Sequence, residues 1–191
     1  MGVEFELKYS ATPETLDRIH RTVVGQETVF HMQTTYYDTP SGDLAARRCT
    51  LRRRLENEKS ICTLKTPASE GGRNEYETEN ASIEEAVSVL CKLSGFGALA
   101  GFAHTILPVC GARFTRIAKL LVLEECTVEL ALDRGVLTGG SKEMPLCEVE
   151  VELKSGSRAV AAAYAAQLAQ TFGLTPEHRS KFARAKSLAG L

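Results

Sequence analysis

The chain has 191 residues, 43% of them hydrophobic, enough to bury a core without disulfides and consistent with one domain over residues 1–191. Its 23 basic and 24 acidic residues leave a formal net charge of -1, so no global field draws it to nucleic acid or to a membrane surface. No apolar run is long enough to span a bilayer, no secretory leader precedes the first charged segment, and the six cysteines form neither a C-x-x-C pair nor a zinc-type cluster, which together predict a reducing, cytoplasmic setting.

The first segment, EFELK, alternates charged and apolar residues. A strand over Val3–Tyr9 places Glu4, Glu6 and Lys8 on one face and Phe5, Leu7 and Tyr9 on the other. Thr12 as N-cap, Pro13 at the first helical position and a stripe of Leu16, Ile19 and Val23 predict a helix that stops at Gly25. Met32–Pro40 (MQTTYYDTP) is β-prone and ends in a Pro-Ser-Gly turn. CTLRRRL and SICTLKT read as a hairpin turning at Glu56–Glu58, and RNEYETEN as the next strand. Ser82 and Glu85 have capping-box spacing for a helix to Leu93, closed by Gly95. In the second half GARFTRIAKLLVL, CTVELALD, RGVLTGG and PLCEVEVELK are strand candidates. An Ala-rich helix follows from about Arg158 to Phe172, with Gly173 as its stop, and a last helix runs from Pro176 to near Leu188. The sum is an α+β chain of about eight mostly antiparallel strands and four main helices.

The alternation of EFELK recurs. Arg52 and Arg54 share a face, as do Thr63 and Lys65; Arg73, Glu75 and Glu77; Glu129, Ala131 and Asp133; and Glu148, Glu150 and Glu152. Charged faces turned to water would explain any one of these strands. The amphipathic helices, however, also need apolar surface to cover. A closed eight-stranded β-barrel clothed by helices satisfies both demands. Its apolar faces lie under the helices, and its charged faces line a tunnel wide enough for side chains or one small ligand. Charges so buried must be paired or bind something. Converging Arg and Lys suit phosphates, and clustered carboxylates suit hard divalent cations such as Mg²⁺ or Mn²⁺. A metal–polyphosphate complex satisfies both sets at once.

These segments resemble the CYTH superfamily, the triphosphate tunnel metalloenzymes, over essentially the whole chain. EFELK matches its E-x-E-x-K signature; TTYYDTP, TLRRR, TLK, GGRNEYE, FTR, VELALD, CEVEVEL and SKFAR follow in the family's order, most like bacterial inorganic triphosphatase domains. The resemblance implies a tunnel that binds a triphosphate end-on with one or two divalent metals. It carries Lys8, Arg52, Arg54, Lys65, Arg73, Arg116 and Lys181 onto phosphate-binding positions. It carries Glu4, Glu6, Glu148 and Glu150, with Asp133, onto metal-binding positions, and it places Glu4, Glu6, Lys8, Lys65 and Glu75 at the chemistry. Glu77 and Glu129 match without a defined role, and Glu152 lies beyond the two-glutamate motif. The implied reaction is metal-dependent hydrolysis of tripolyphosphate to pyrophosphate and phosphate. The alternatives are thiamine triphosphate hydrolysis, class IV adenylate cyclase chemistry on ATP, or a non-catalytic polyphosphate- or nucleotide-binding module. The expected partner is a small-molecule triphosphate, with no nucleic acid and no membrane; a homodimer is left open.

Other residues read as structural. Arg53 is out of phase and reads as an outer charge, Lys119 and Lys142 as surface, Arg113 as rim, and Tyr36 and Tyr37 as either core or ligand contacts. His20, His31, His104 and His178 lack the partner spacing of a general base, and no Walker loop or G-x-S-x-G motif competes. Crowding of Glu148 and Glu150 against Glu4 and Glu6 further predicts that Glu150→Gln stabilises the protein when no metal is added.

Overall fold

The period-two alternation becomes strand after strand of one antiparallel sheet. The structure, a computed structural model, describes residues 5–69 and 72–191. Its elements are β1 (Glu6–Ser10), α1 (Pro13–Thr22), β2 (Gln26–Asp38), α2 (Asp43–Ala46), β3 (Thr50–Glu56), β4 (Lys59–Pro67), β5 (Arg73–Glu79), α3 (Ile83–Ser94), α4 (Ala98–Phe102), β6 (Leu107–Val122), β7 (Cys126–Gly139), β8 (Lys142–Gly156), α5 (Arg158–Phe172), β9 (Thr175–Pro176) and α6 (Lys181–Ala189). The nine strands lie in the order β5-β4-β3-β2-β6-β7-β8-β1-β9.

The apolar face of this sheet carries two cores. On one, Tyr9, Val128, Leu130, Leu132, Val149 and Val151 meet Leu16 and Ile19 of α1 and Ala161, Ala165 and Leu168 of α5. On the other, Leu51, Cys62 and Leu64 meet Ile83, Ala86, Val87 and Leu90 of α3 and Leu99 of α4. A smaller cluster lies on the charged face, where Met32, Ala112, Phe114, Leu137 and Leu146 pack against Ala185 of α6. The strand phase is therefore the one the alternation predicts, and α6 is the helix that covers charge instead of hydrophobic surface.

Caps fix the helix ends. Ser82, Ser157 and Ser180 each accept a bond from a backbone N–H in the first turn of α3, α5 and α6, and Gly95, Gly173 and Gly190 close those helices in the left-handed region. Asp38 is buried and accepts the N–H groups of Thr39 (2.8 Å), Leu44 (2.8 Å) and Ala45 (3.1 Å), so the YYDTP segment organises the turn into α2.

Several expectations are corrected. Eight strands in a closed barrel become nine in a sheet whose outer members, β5 and β9, do not pair with each other among the described residues. The ninth strand, β9, is two residues long, pairs with Tyr9 and Ser10 of β1, and contains Pro176, which lacks an N–H and blunts that edge. CTVELALD and RGVLTGG are one continuous strand, β7. A Cβ at Gly135 would stand 2.1 Å from the Arg113 carbonyl, so this glycine permits close strand approach and is not a turn. The last helix begins at Lys181, because Pro176 is used by β9. The helix after Thr12 ends at Thr22, with Val23 as its C-cap, before Gly25.

Lys119 is not at the surface. It is buried, at 5% exposure, and its ammonium donates to the carbonyls of His20 and Val23 at 2.7 Å each, capping the C-terminus of α1. Arg53 lies on the outer face, where its Nε donates to Ser60 Oγ at 2.8 Å. Arg113 is an exposed rim residue paired with Glu143.

Candidate functional site

Three adjacent strands converge on one carboxylate cluster. The β7–β8 register sets Asp133 against Glu148 and Ala131 against Glu150. The side chains of Asp133, Glu148 and Glu150 are all buried, and they offer oxygens within 4.8 Å of one another. From β6, Arg116 reaches across with a two-pronged grip on Asp133, Nε and Nη2 each at 2.8 Å, and also contacts Glu150. From α6, Lys181 contacts Glu148, Glu150 (2.6 Å) and Asp133 (2.9 Å), while Arg184 contacts Glu148. Such pairing is what permits this much charge to be buried.

The electrostatics follow from burial against pairing. Burial pushes the Glu148 carboxyl up to about 7, opposed by Lys181 and reinforced by Glu150. Glu150 is driven up by burial but more strongly down by Lys181 and Arg116, and stays well below the usual carboxylate range. Lys181, which burial alone would lower, is held above its ordinary value by Glu150, Asp133 and Glu148.

The other half of the charged face is built from β2–β5 and is richer in cations. Arg52 and Lys65 share Glu75, each at 3.2 Å. Glu77 accepts from Thr63 at 2.9 Å and stands 3.8 Å from Arg52. Arg73 donates to neutral acceptors, Thr50 Oγ1 and the Arg48 carbonyl, at 3.0 Å each. Arg54 donates to Thr34 Oγ1 at 2.9 Å, and its carboxylate partner Glu56 is 3.8 Å away. Burial, together with nearby Arg52 and Arg116, brings the Arg54 guanidinium down to about 10. Phe114 lies between the halves, with Arg54, Arg116 and Lys181 at 5.8, 5.9 and 5.4 Å from its ring centroid.

The expected residues therefore divide. Asp133, Glu148 and Glu150 come together, whereas Glu6 does not join them. It lies one step along, 3.6 Å from Lys8 and in register with Glu152, which is in turn in register with Glu129. Glu4 lies outside the described residues. Lys8, Arg52, Arg54, Lys65, Arg73 and Arg116 share the charged face with Glu75 and Glu77. Lys181 and Arg116, expected to meet phosphate, contact carboxylates. Tyr36 is buried beneath α6 with its ring 5.1 Å from that of Phe182, and Tyr37 packs in the outer core. The sequence reading missed Arg184. The signal was its spacing: three residues after Lys181, it falls on the same helix face.

A model of the CYTH domain matches residues 2–185. The chain belongs to the CYTH family. An inorganic triphosphatase of Haemophilus influenzae is 29% identical over 162 residues, which cover 81% of this chain and 46% of that protein. The chain thus spans about half the length of the curated relative it matches. The structure of HpAC1 from Hippeastrum, an adenylyl cyclase candidate with a dominant triphosphatase activity, superposes with a TM-score of 0.71 at 20% identity, covering 96% of this chain and 95% of that one. An adenylate cyclase candidate of Bacillus halodurans gives a TM-score of 0.64 at 18% identity, covering 95% and 96%. At these identities the two structures establish the shared CYTH fold.

Proposed function

We propose that this chain hydrolyses the terminal phosphoanhydride of a linear triphosphate, with inorganic tripolyphosphate as the substrate. The observation that carries the reading is the juxtaposition on one sheet face of a cation-rich half and a buried trio of carboxylates. The similarity to the Haemophilus influenzae inorganic triphosphatase supports it. Oxygen donors from Asp133, Glu148 and Glu150, within 4.8 Å of one another, suit a hard divalent cation such as Mg²⁺ or Mn²⁺, with Glu6 close by on β1. Such a cation, when bound, supplies charge neutralisation and a water of lowered pKa.

The chain's own residues do the rest. Phosphoryl transfer is mainly positioning and charge stabilisation. Arg52, Arg54, Lys65 and Arg73 hold the phosphates, Lys8 and Arg116 offset charge at the reacting end, and Glu75 keeps Arg52 and Lys65 oriented between turnovers. The described charged face offers Phe30, Tyr36 and Phe114, with Phe182 from α6; Phe30 and Phe114 belong to one apolar cluster, and Tyr36 and Phe182 are engaged with each other. That argues for a bare triphosphate over one carrying a heterocycle. The free cysteines fit a reducing, cytoplasmic setting.

The test is kinetics with Mg²⁺ or Mn²⁺ on tripolyphosphate, ATP, thiamine triphosphate and pyrophosphate, with all products measured. Tripolyphosphate is cleaved fastest, to pyrophosphate and phosphate. Pyrophosphate leaves at least two cations unpaired, at about 1.5–3 kcal/mol each, and falls behind by roughly a hundredfold or more. Efficient pyrophosphate hydrolysis overturns the proposal. Cyclic AMP as the main product from ATP transfers the function to a cyclase.

A further inference from the structure

The atoms that hold α6 in place are the atoms a divalent cation needs. The Lys181 ammonium contacts one oxygen from each of the three carboxylates: Asp133 Oδ2, Glu148 Oε1 and Glu150 Oε1. It matches three donors to three acceptors and occupies the point where a cation bound by all three would stand. The remaining oxygens are also taken. Arg184 contacts Glu148 Oε2, and Arg116 contacts Glu150 Oε2 and both oxygens of Asp133. A divalent cation at coordination distance cannot share this space with the ammonium.

Two of the three cations belong to one short helix and one belongs to the sheet. We propose that Lys181 and Arg184 are internal counter-cations that α6 withdraws when a divalent cation binds, so that α6 docking and metal binding compete for the same carboxylates. This rests on the reading of Asp133, Glu148 and Glu150 as the metal site. The charge balance favours such an exchange. Three carboxylates are matched by three monovalent cations, and one divalent cation replaces two of them while Arg116 remains on β6. The site stays neutral throughout and avoids the cost of an uncompensated buried charge. The released ammonium and guanidinium are then free to meet the anionic triphosphate, which couples metal and substrate binding.

The helix is seated for release as a unit. Lys181 is its first residue, and Ser180 caps it independently of the sheet. Its backbone rests on Gly139, where a Cβ would stand 2.4 Å from the Ala185 carbonyl and 2.6 Å from the Ala189 nitrogen. A side chain at Gly139 would therefore push α6 outward without altering any charge.

The experiment titrates Mn²⁺ into phosphate-free wild type, Lys181→Met and Arg184→Met, following free Mn²⁺ by electron paramagnetic resonance, and records hydrogen exchange of α6 with and without Mn²⁺. Circular dichroism first establishes that each variant is folded. Losing one competing charge-assisted partner tightens Mn²⁺ binding about tenfold or more in each variant. In wild type, saturating Mn²⁺ accelerates exchange in α6 but not in β3 and β4. Gly139→Ala, with every charge retained, shifts affinity in the same direction and guards against a Lys181 variant that fails to fold. Unchanged or weaker Mn²⁺ binding in the variants, or α6 exchange indifferent to Mn²⁺, overturns the competition while leaving the metal site standing. Absence of Mn²⁺ binding in wild type and all variants overturns the metal site itself.

Discussion

Replacing Glu150 by Gln tests the carboxylate cluster most directly, because the structure reverses the sign expected from sequence. Crowding among acidic residues alone predicts that neutralising Glu150 stabilises the protein. In the structure Glu150 is buried and accepts from Lys181 at 2.6 Å and from Arg116. Neutralising it leaves Asp133 and Glu148 facing Arg116, Lys181 and Arg184, an excess of positive charge in a buried site. Breaking a buried pair by removing one partner costs about 3–5 kcal/mol. Asp133 still holds Arg116 through two bonds at 2.8 Å and Lys181 at 2.9 Å, so the lower end, about 3 kcal/mol, applies. For a domain of this size each kcal/mol moves Tm by about 2–4 °C, so Glu150→Gln melts about 6–12 °C below wild type. The assay is thermal unfolding by circular dichroism in chelator-containing buffer. Glu129→Gln, on the partly exposed step of the same face, serves as a control near zero. A second step removes the orphaned charge: Lys181→Met added to Glu150→Gln recovers part of the loss, since deleting both partners is gentler than deleting one. A Glu150→Gln protein that melts at or above wild type refutes the pairing.

Further outcomes follow from single residues. Lys65→Ala weakens binding of a non-hydrolysable triphosphate by about 1.5–3 kcal/mol, while Arg53→Ala, whose side chain bonds Ser60 on the outer face, changes it little; equal losses by calorimetry would mean the strand phase is misassigned. Lys119→Met removes two carbonyl contacts at the end of α1 and lowers unfolding stability by about 2–4 kcal/mol in urea titrations, and a loss under 0.5 kcal/mol would deny the cap. Hydrogen bonds from Arg179 hold the Glu177 carboxyl down at about 2. Its contribution is therefore complete above the ordinary glutamate range and is lost as pH falls from there towards 2. Glu177→Gln flattens the stability profile across that window, and an unchanged acid limb counts against the pairing.

Local chemistry was legible where one residue type dictates one conformation. The Ala-rich helix has the bounds Arg158–Phe172 because Ser157 caps it and Gly173 supplies the left-handed stop, both visible in the sequence. The in-phase Arg52 and Arg54 and the out-of-phase Arg53 followed from the pleat alone. Contacts between distant segments were not legible. Lys119 sits on the outer face in its own strand, but its role depends on the last turn of α1 arriving there, 96 and 99 residues away in sequence. Arg184 needed the knowledge that α6 lies on the charged face. CTVELALD and RGVLTGG look like two strands in a one-dimensional reading and become one only when Arg113 is seen beside Gly135, whose lack of a side chain lets β6 and β7 run on together.

The asymmetry of the charged face explains why the sheet need not close to satisfy its charges. On the β6–β8 side each carboxylate has cations in direct contact, with α6 supplying what a facing strand would otherwise have to provide. On the β3–β5 side the balance runs the other way. Arg52 lies between Glu75 and Glu77, Arg73 makes do with neutral oxygens, and Arg54 has its carboxylate at 3.8 Å. Two cations with only neutral or distant partners, Arg54 and Arg73, therefore lie at one end of the face and the buried carboxylates at the other. A triphosphate laid along it, as proposed, gains most by placing its phosphates over Arg52, Arg54, Lys65 and Arg73 and its metal-bearing end toward Asp133, Glu148 and Glu150. The reverse orientation would set phosphate oxygens against three carboxylates while leaving Arg54 and Arg73 with their neutral or distant partners. The proposed polarity of binding thus follows from the placement of Arg54 and Arg73 opposite the carboxylate trio, before any contact specific to the substrate is counted.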